Sequence, residues 1–172
     1  MLQAMIDIET LDTKPTAIVF QIGLVVWDID KYAEYLFELS VQDQIDKGRT
    51  LSADTLGFWT NPKISSIAHE SLRTTLQDNT KYQLDAFVSA IKDCKQVWSK
   101  TFFDFEILEN LLPHYRHNVP WHNGRRRDLL TLMEECGVEK PLEGNSHHAL
   151  EDCQQQLEQL SQCREIIAGR LV

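Results

Sequence analysis

An apolar run that carries acids two positions apart, Met5-Ile6-Asp7-Ile8-Glu9-Thr10, constrains this chain more than any other segment. In a strand, residues i and i+2 share a face, so Asp7 and Glu9 project together while Ile6 and Ile8 bury on the opposite side. Two carboxylates side by side on a sheet repel each other. A divalent cation between them removes the penalty and gives the pair a use. One such pair identifies nothing by itself, so the rest of the chain has to supply the context.

That context is a run of strands followed by helices, without repeats. Ala4 to Thr10, Ala17 to Trp27 and Tyr32 to Val41 read as three strands joined by short turns, which implies an antiparallel meander. A polar stretch from Gln42 to Thr50 leads into short helices around Ser52 to Trp59 and Pro62 to Leu72. Leu84, Phe87, Val88 and Ile91 recur at helical spacing within Lys81 to Cys94. Gln96 to Ser99 is a fourth strand, and Thr101 opens a helix with Asp104 and Glu106 in its first turn. Val119 to His122 is a short extended piece. Asp128 caps a helix that runs to Cys136 and ends at Gly137.

The last helix, from about His148 to Leu171, carries Ala149, Cys153, Leu157, Leu160, Cys163, Ile167 and Leu171 at spacings of three and four, a stripe that docks on the sheet. Asp152 lies at the margin of that stripe, held near the sheet surface. His147 belongs to the Gly144-Asn145-Ser146 turn that caps the helix, from which it can swing over a metal site.

At 172 residues, 25% charged and 42% hydrophobic, the chain fits one folded domain spanning 1–172. No apolar run approaches the roughly 20 residues of a membrane span and no leader pattern opens the chain, so a cytoplasmic location away from membranes is expected. Cys94, Cys136, Cys153 and Cys163 form no close pair and read as buried free thiols. The net charge of -9 argues against a nucleic-acid partner until its distribution is considered. Lys92 to Arg127 holds seven basic residues against four acids, a net +3 that leaves -12 on the remainder. The same tract carries Trp98, Phe102, Phe103, Phe105, Tyr115 and Trp121. Basic residues interleaved with aromatics suit a single strand with exposed bases; a solvated basic face over core aromatics is the plainer alternative.

Taken together, the motifs resemble the DnaQ-like 3′-to-5′ exonucleases of the DEDDh group. Asp7-Ile8-Glu9 after a hydrophobic strand matches the first family motif, and Ile22-Gly23-Leu24-Val25 resembles the second-strand signature. Phe103-Asp104-Phe105-Glu106-Ile107-Leu108 matches the second motif, and His147-His148-Ala149-Leu150-Glu151-Asp152 matches H-x-A-x-x-D without a gap. Order, spacing and context agree over nearly the whole chain, most closely with small stand-alone members of the RNase T-like, exoribonuclease-like and phage exonuclease types. Ser99-Lys100 stands where the family commonly has glycine or asparagine.

The resemblance implies an α/β, RNase H-like fold: a central mixed sheet with an antiparallel three-strand meander, flanked by helices. It also implies 3′-to-5′ cleavage of nucleic acid to nucleoside 5′-monophosphates; the aromatic-rich basic tract adds an expected preference for single strands, and DNA is the favoured substrate with RNA 3′ ends the alternative. Phosphodiester hydrolysis needs an attacking hydroxide, charge neutralisation at phosphorus and a stabilised leaving oxygen, which two divalent ions about 3.5–4 Å apart can supply. Carboxylates suit hard Mg²⁺ or Mn²⁺ better than zinc. Asp7, Glu9, Asp104 and Asp152 are therefore expected to ligate two such ions, and His147 to serve as general base. Thr10, Trp59, Phe103, Lys100, Arg125 and Arg127 are the expected substrate contacts, with Phe58 beside Trp59 as a second stacking candidate.

Each residue also has a plainer reading. Asp104 suits a helix first turn, Asp152 a solvated face, His147 a cap, Trp59 a core and Arg125 to Arg127 a solvated loop. His148 has no partner in the pattern and is expected to pack or tune. A non-catalytic binding module would lack at least one ligand, and none is missing; an RNase H-type endonuclease shares the acids but not the H-x-A-x-x-D ending. Oligomeric state is left open, a homodimer included.

Overall fold

The alternation in the first strand sets the layers. The computed structural model, which describes residues 1–64, 66, 69–70, 80–139 and 146–170, has strand β1 at Gln3–Thr10, β2 at Val19–Trp27, β3 at Tyr32–Glu38, β4 at Gln96–Ser99 and β5 at Arg126–Asp128. Their order across the sheet is β3-β2-β1-β4-β5. β1 pairs antiparallel with β2, and β2 with β3, which is the expected meander. β4 and β5 add parallel strands on the other side of β1, and parallel neighbours require long crossovers. Helices supply them: α1 (Val41–Asp46), α2 (Ala53–Trp59) and α3 (Thr80–Ile91) precede β4, and α4 (Phe103–His114) links β4 to β5. α5 (Leu129–Cys136) and α6 (Ala149–Arg170) follow.

β1 is buried along nearly its whole length because both faces of the sheet are covered. Ala4, Ile6 and Ile8 join Ile22 and Leu24 against Leu84, Phe87 and Ile91 of α3 and Phe105, Leu108 and Leu111 of α4. Met5 and Val25 look the other way, onto Leu129 and Met133 of α5 and Cys153, Leu160 and Cys163 of α6. Each fully buried Leu or Ile contributes roughly 1.5–3 kcal/mol. Asp7 and Glu9, in step with Met5, therefore lie on the α6 face. The approach of α6 depends on Gly23, which stands opposite Asp7 in the β1–β2 register. A Cβ there would fall inside the Ala149 carbonyl at the start of α6.

Several boundaries differ from the sequence expectations, each for a tertiary reason. The third strand stops at Glu38, and the polar stretch after it forms α1, capped by Ser40. Gln44 of α1 is fully buried because its side-chain amide accepts from the Val19 N–H and donates to the Val19 carbonyl, so a side chain completes the strand edge. Val119 to His122 is not a strand. The fifth strand is Arg126–Asp128, three polar residues paired with β4 at the sheet edge. Asp128 does cap α5, accepting from the Thr131 N–H at 2.7 Å, and Gly137 closes it at φ 74°. The helix expected at 62–72 falls largely outside the described residues, as do Gly144, Asn145 and Leu171. All four cysteines are buried and free. Among the described residues no helix is long and apolar enough to cross a membrane.

Candidate active site

Three elements bring four carboxylates to one cleft. Asp7 and Glu9 project from β1, Asp104 sits in the first turn of α4 and Asp152 in the first turn of α6. All four are buried, and a cleft of about 180 Å³ is lined by them together with Ile8, Lys100, Thr101, Phe103 and His147. Carboxylate oxygens of Asp7, Glu9 and Asp152 lie within 4.8 Å of one another. Asp104 stands outside this tight group, across the same cleft. Two helices thus aim their N-terminal ends at the acids, which partly offsets the negative charge.

The carboxylates are held by neutral donors. Asp104 Oδ1 accepts the Ile8 N–H at 3.2 Å. Asp152 Oδ1 accepts the N–H and hydroxyl of Ser146 at 2.9 and 3.0 Å. Asp7 Oδ1 accepts the side-chain amide of Gln156 at 2.7 Å. Burial pushes the Asp7 carboxyl well above its ordinary range, helped by the charges of Asp104, Glu9 and Asp152 and opposed by Gln156. Glu9 is raised in the same way, by burial and then by Asp152 and Asp104. Burial raises Asp104 to about 7, against the hydrogen bonds of its own and the Ile8 backbone and the charge of Lys100. Burial and mutual repulsion thus oppose simultaneous ionisation of these acids. The donor set, all hard oxygen, fits Mg²⁺ or Mn²⁺ and not a thiophilic metal.

His147 reaches the cleft from a strained turn. Its φ of 56° is the left-handed region, which costs a non-glycine residue roughly 1–2 kcal/mol. Its ring is edge-on to Phe58 at 4.9 Å and to Trp59 at 6.0 Å. Burial lowers its pKa from the ordinary histidine value, with Asp152 pulling the other way, which favours the neutral imidazole. His148 turns away: its Nδ1 accepts the Glu151 N–H at 3.5 Å across the first turn of α6.

The substrate contacts expected from sequence divide. Lys100 and Phe103 line the cleft. Trp59, expected to contact substrate, lies in the core instead: it is 2% exposed, its indole N–H donates to the Thr10 carbonyl at 2.9 Å and its ring packs on Phe20. The solvent-facing ring there is Phe58, 42% exposed. Thr10 is buried, with its hydroxyl donating to the Asp12 carbonyl. Arg125 and Arg127 do not line the cleft; their guanidinium groups donate to the carbonyls of Cys94, Gly124 and Arg126. The basic tract is likewise less of a platform than its composition suggests, because Trp98, Phe105, Tyr115 and Trp121 are core. Sequence reasoning missed Ser146 and Gln156. Gln156 was within reach, because it follows Asp152 by one helical turn and so shares its face.

A family model described as the 3′-5′ exoribonuclease Rv2179c-like domain matches residues 2–164. Among solved structures, cell-death related nuclease 4 (CRN-4) superposes with a TM-score of 0.50 at 15% sequence identity, over 98% of this chain and 64% of that one. The chain therefore spans somewhat under two thirds of that nuclease, and the likeness is one of fold: the mixed sheet flanked by helices is RNase H-like. No curated protein matches by sequence.

Proposed function

Given that the chain belongs to the Rv2179c-like 3′-5′ exoribonuclease domain family, we propose that residues 1–172 form one metal-dependent exonuclease domain that shortens single-stranded nucleic acid from its 3′ end, releasing nucleoside 5′-monophosphates. The observation that carries this reading is the grouping of Asp7, Glu9 and Asp152 oxygens within 4.8 Å, in a cleft that also holds Asp104 and His147. Asp7, Glu9, Asp104 and Asp152 would hold two Mg²⁺ or Mn²⁺ ions. Bound there, the ions would offset the repulsion of the acids and supply Lewis-acid polarisation of the scissile phosphate.

The chain's own residues do the rest. His147, kept neutral by burial, accepts the proton of the attacking water at a ring nitrogen. Lys100, on the cleft wall, opposes charge that develops on the phosphate. Phe103 and Phe58 offer apolar faces for the terminal base and sugar, and the small volume of the cleft admits a strand end more readily than a duplex. The family description names RNA, and no described residue at the cleft favours deoxyribose over ribose. RNA 3′ ends are therefore the first substrate of this proposal and DNA the second.

The test is digestion of 3′-labelled and internally labelled single-stranded RNA, single-stranded DNA and duplex, with Mg²⁺ and with chelator. Mononucleotides released first from the 3′ end, in the presence of metal alone, are expected. Internal fragments, or turnover in chelator, would overturn the reading.

A further inference from the structure

Gln156 lies one turn beyond Asp152 on α6 and is 2% exposed. Its Nε2 donates to Asp7 Oδ1 at 2.7 Å, while its Oε1 is buried without a hydrogen-bond partner among the described residues. A buried amide oxygen left unpaired costs stability. Methionine, of similar length and volume, would avoid that cost. The cluster between α6 and the sheet includes Met5, Val25, Cys153, Leu160 and Cys163. What the amide does reach is the carboxylate at the centre of the acidic group.

We propose that Gln156 is a positioning residue for the metal centre: its amide N–H pins one oxygen of Asp7 so that the other is presented to the space shared with Glu9 and Asp152. The chemistry of the donor matters. A lysine or arginine at this point would neutralise Asp7 and compete with the cation, whereas a neutral amide orients the carboxylate and leaves its charge in place. The geometry matters as well. Asp152 and Gln156 are related by i, i+4 and stand on one face of a rigid helix. α6 therefore supplies one ligand and sets the direction of the facing ligand on β1. Hydrogen-bond partners of ligating groups typically carry 10–100-fold in metal affinity or activity.

This inference rests on the metal-dependent reading above, and the experiment separates the two. Mn²⁺ affinity of the wild type, Gln156→Met and Gln156→Asn is measured from the electron paramagnetic resonance signal of free Mn²⁺. Melting in chelator is recorded for each protein. The wild type is expected to bind, Gln156→Met to bind about 10-fold or more weakly, and its melting temperature in chelator to be unchanged or higher. Gln156→Asn, one methylene too short to span the same distance, should weaken binding similarly; it carries the comparison alone if Gln156→Met does not fold. Equal Mn²⁺ affinity in wild type and variant overturns the inference while leaving the active site standing. Weaker binding accompanied by a clear loss of melting temperature in chelator also overturns it, since Gln156 would then only support the fold. Absence of Mn²⁺ binding by the wild type overturns both readings.

Discussion

At the acidic cluster, one oxygen each of Asp7, Asp104 and Asp152 is engaged by a neutral donor, so the protein orders the carboxylates without cancelling their charge. Removing a charge should therefore relieve the metal-free fold and damage the chemistry. Asp7→Asn and Asp152→Asn are expected to abolish nearly all Mg²⁺-dependent cleavage while melting no lower than wild type in chelator; full activity of either variant would refute their role. Asp104 gives a pH-resolved version. Its folded pKa is raised from 3.8 to about 7, so the folded state holds this proton more tightly than the unfolded one. The associated stability is whole below about pH 4 and is lost as pH rises through 7. Asp104→Asn escapes that loss. Chemical denaturation in chelator should show the variant more stable than wild type at pH 8, by on the order of a few kcal/mol, with the gap closing towards pH 4. A gap independent of pH would show that the fold does not raise the pKa of this carboxyl. On the proposed role of His147 as general base, His147→Ala should lower turnover by about 10²–10⁴ with Mn²⁺ binding retained. His148→Ala, which removes only a helix-end hydrogen bond, should cost far less.

α6 makes the site an assembly of elements. It supplies Asp152 and Gln156, and its first turn lies against β2 where Gly23 leaves no side chain in the way. Gly23→Ala is expected to destabilise the protein by roughly 1–3 kcal/mol, because backbone rather than a flexible side chain has to give. Displacement of α6 should weaken Mn²⁺ binding at the same time. Wild-type affinity and melting in Gly23→Ala would show that the approach of α6 is not limiting. α2 plays a smaller part: Trp59 is anchored to the Thr10 carbonyl, and with Phe58 it walls the His147 ring. Much of this level was legible in the sequence. The apolar spacing along α6 and the placement of Asp152 at its margin predict the docked helix, and Asp128 and Gly137 mark the two ends of α5. The pairing of Gly23 with Ala149 was not legible, since it depends on the β1–β2 register and on how closely two distant segments approach.

For the whole molecule, the proposed function combines with a net charge of -9 and a cleft of about 180 Å³ to give an expectation about substrate form. Few phosphates can be gripped along a duplex, and a paired end would have to fray at a cost of a few kcal/mol. Single strands should therefore be degraded faster than blunt duplexes of the same sequence, with moderate salt sensitivity. Equal rates on both at matched salt and enzyme concentration would show that the cleft accepts paired ends.

The sequence by itself determined the meander, the docked last helix and the residue set Asp7, Glu9, Asp104, His147 and Asp152. The first two depend on periods of two and 3.6, and the residue set on local motifs that resemble those of a known family, all written within a few consecutive residues. Only the tertiary structure decided that Arg126–Asp128 is a strand, because three polar residues carry no period and form a strand only by pairing with β4. It likewise placed Trp59, Tyr115 and Trp121 in the core and Phe58 at the surface, since composition marks a ring as apolar without saying which way it faces. And it set Gln156 against Asp7 across 149 residues of chain, a contact that exists only because a helix and a strand meet at a glycine.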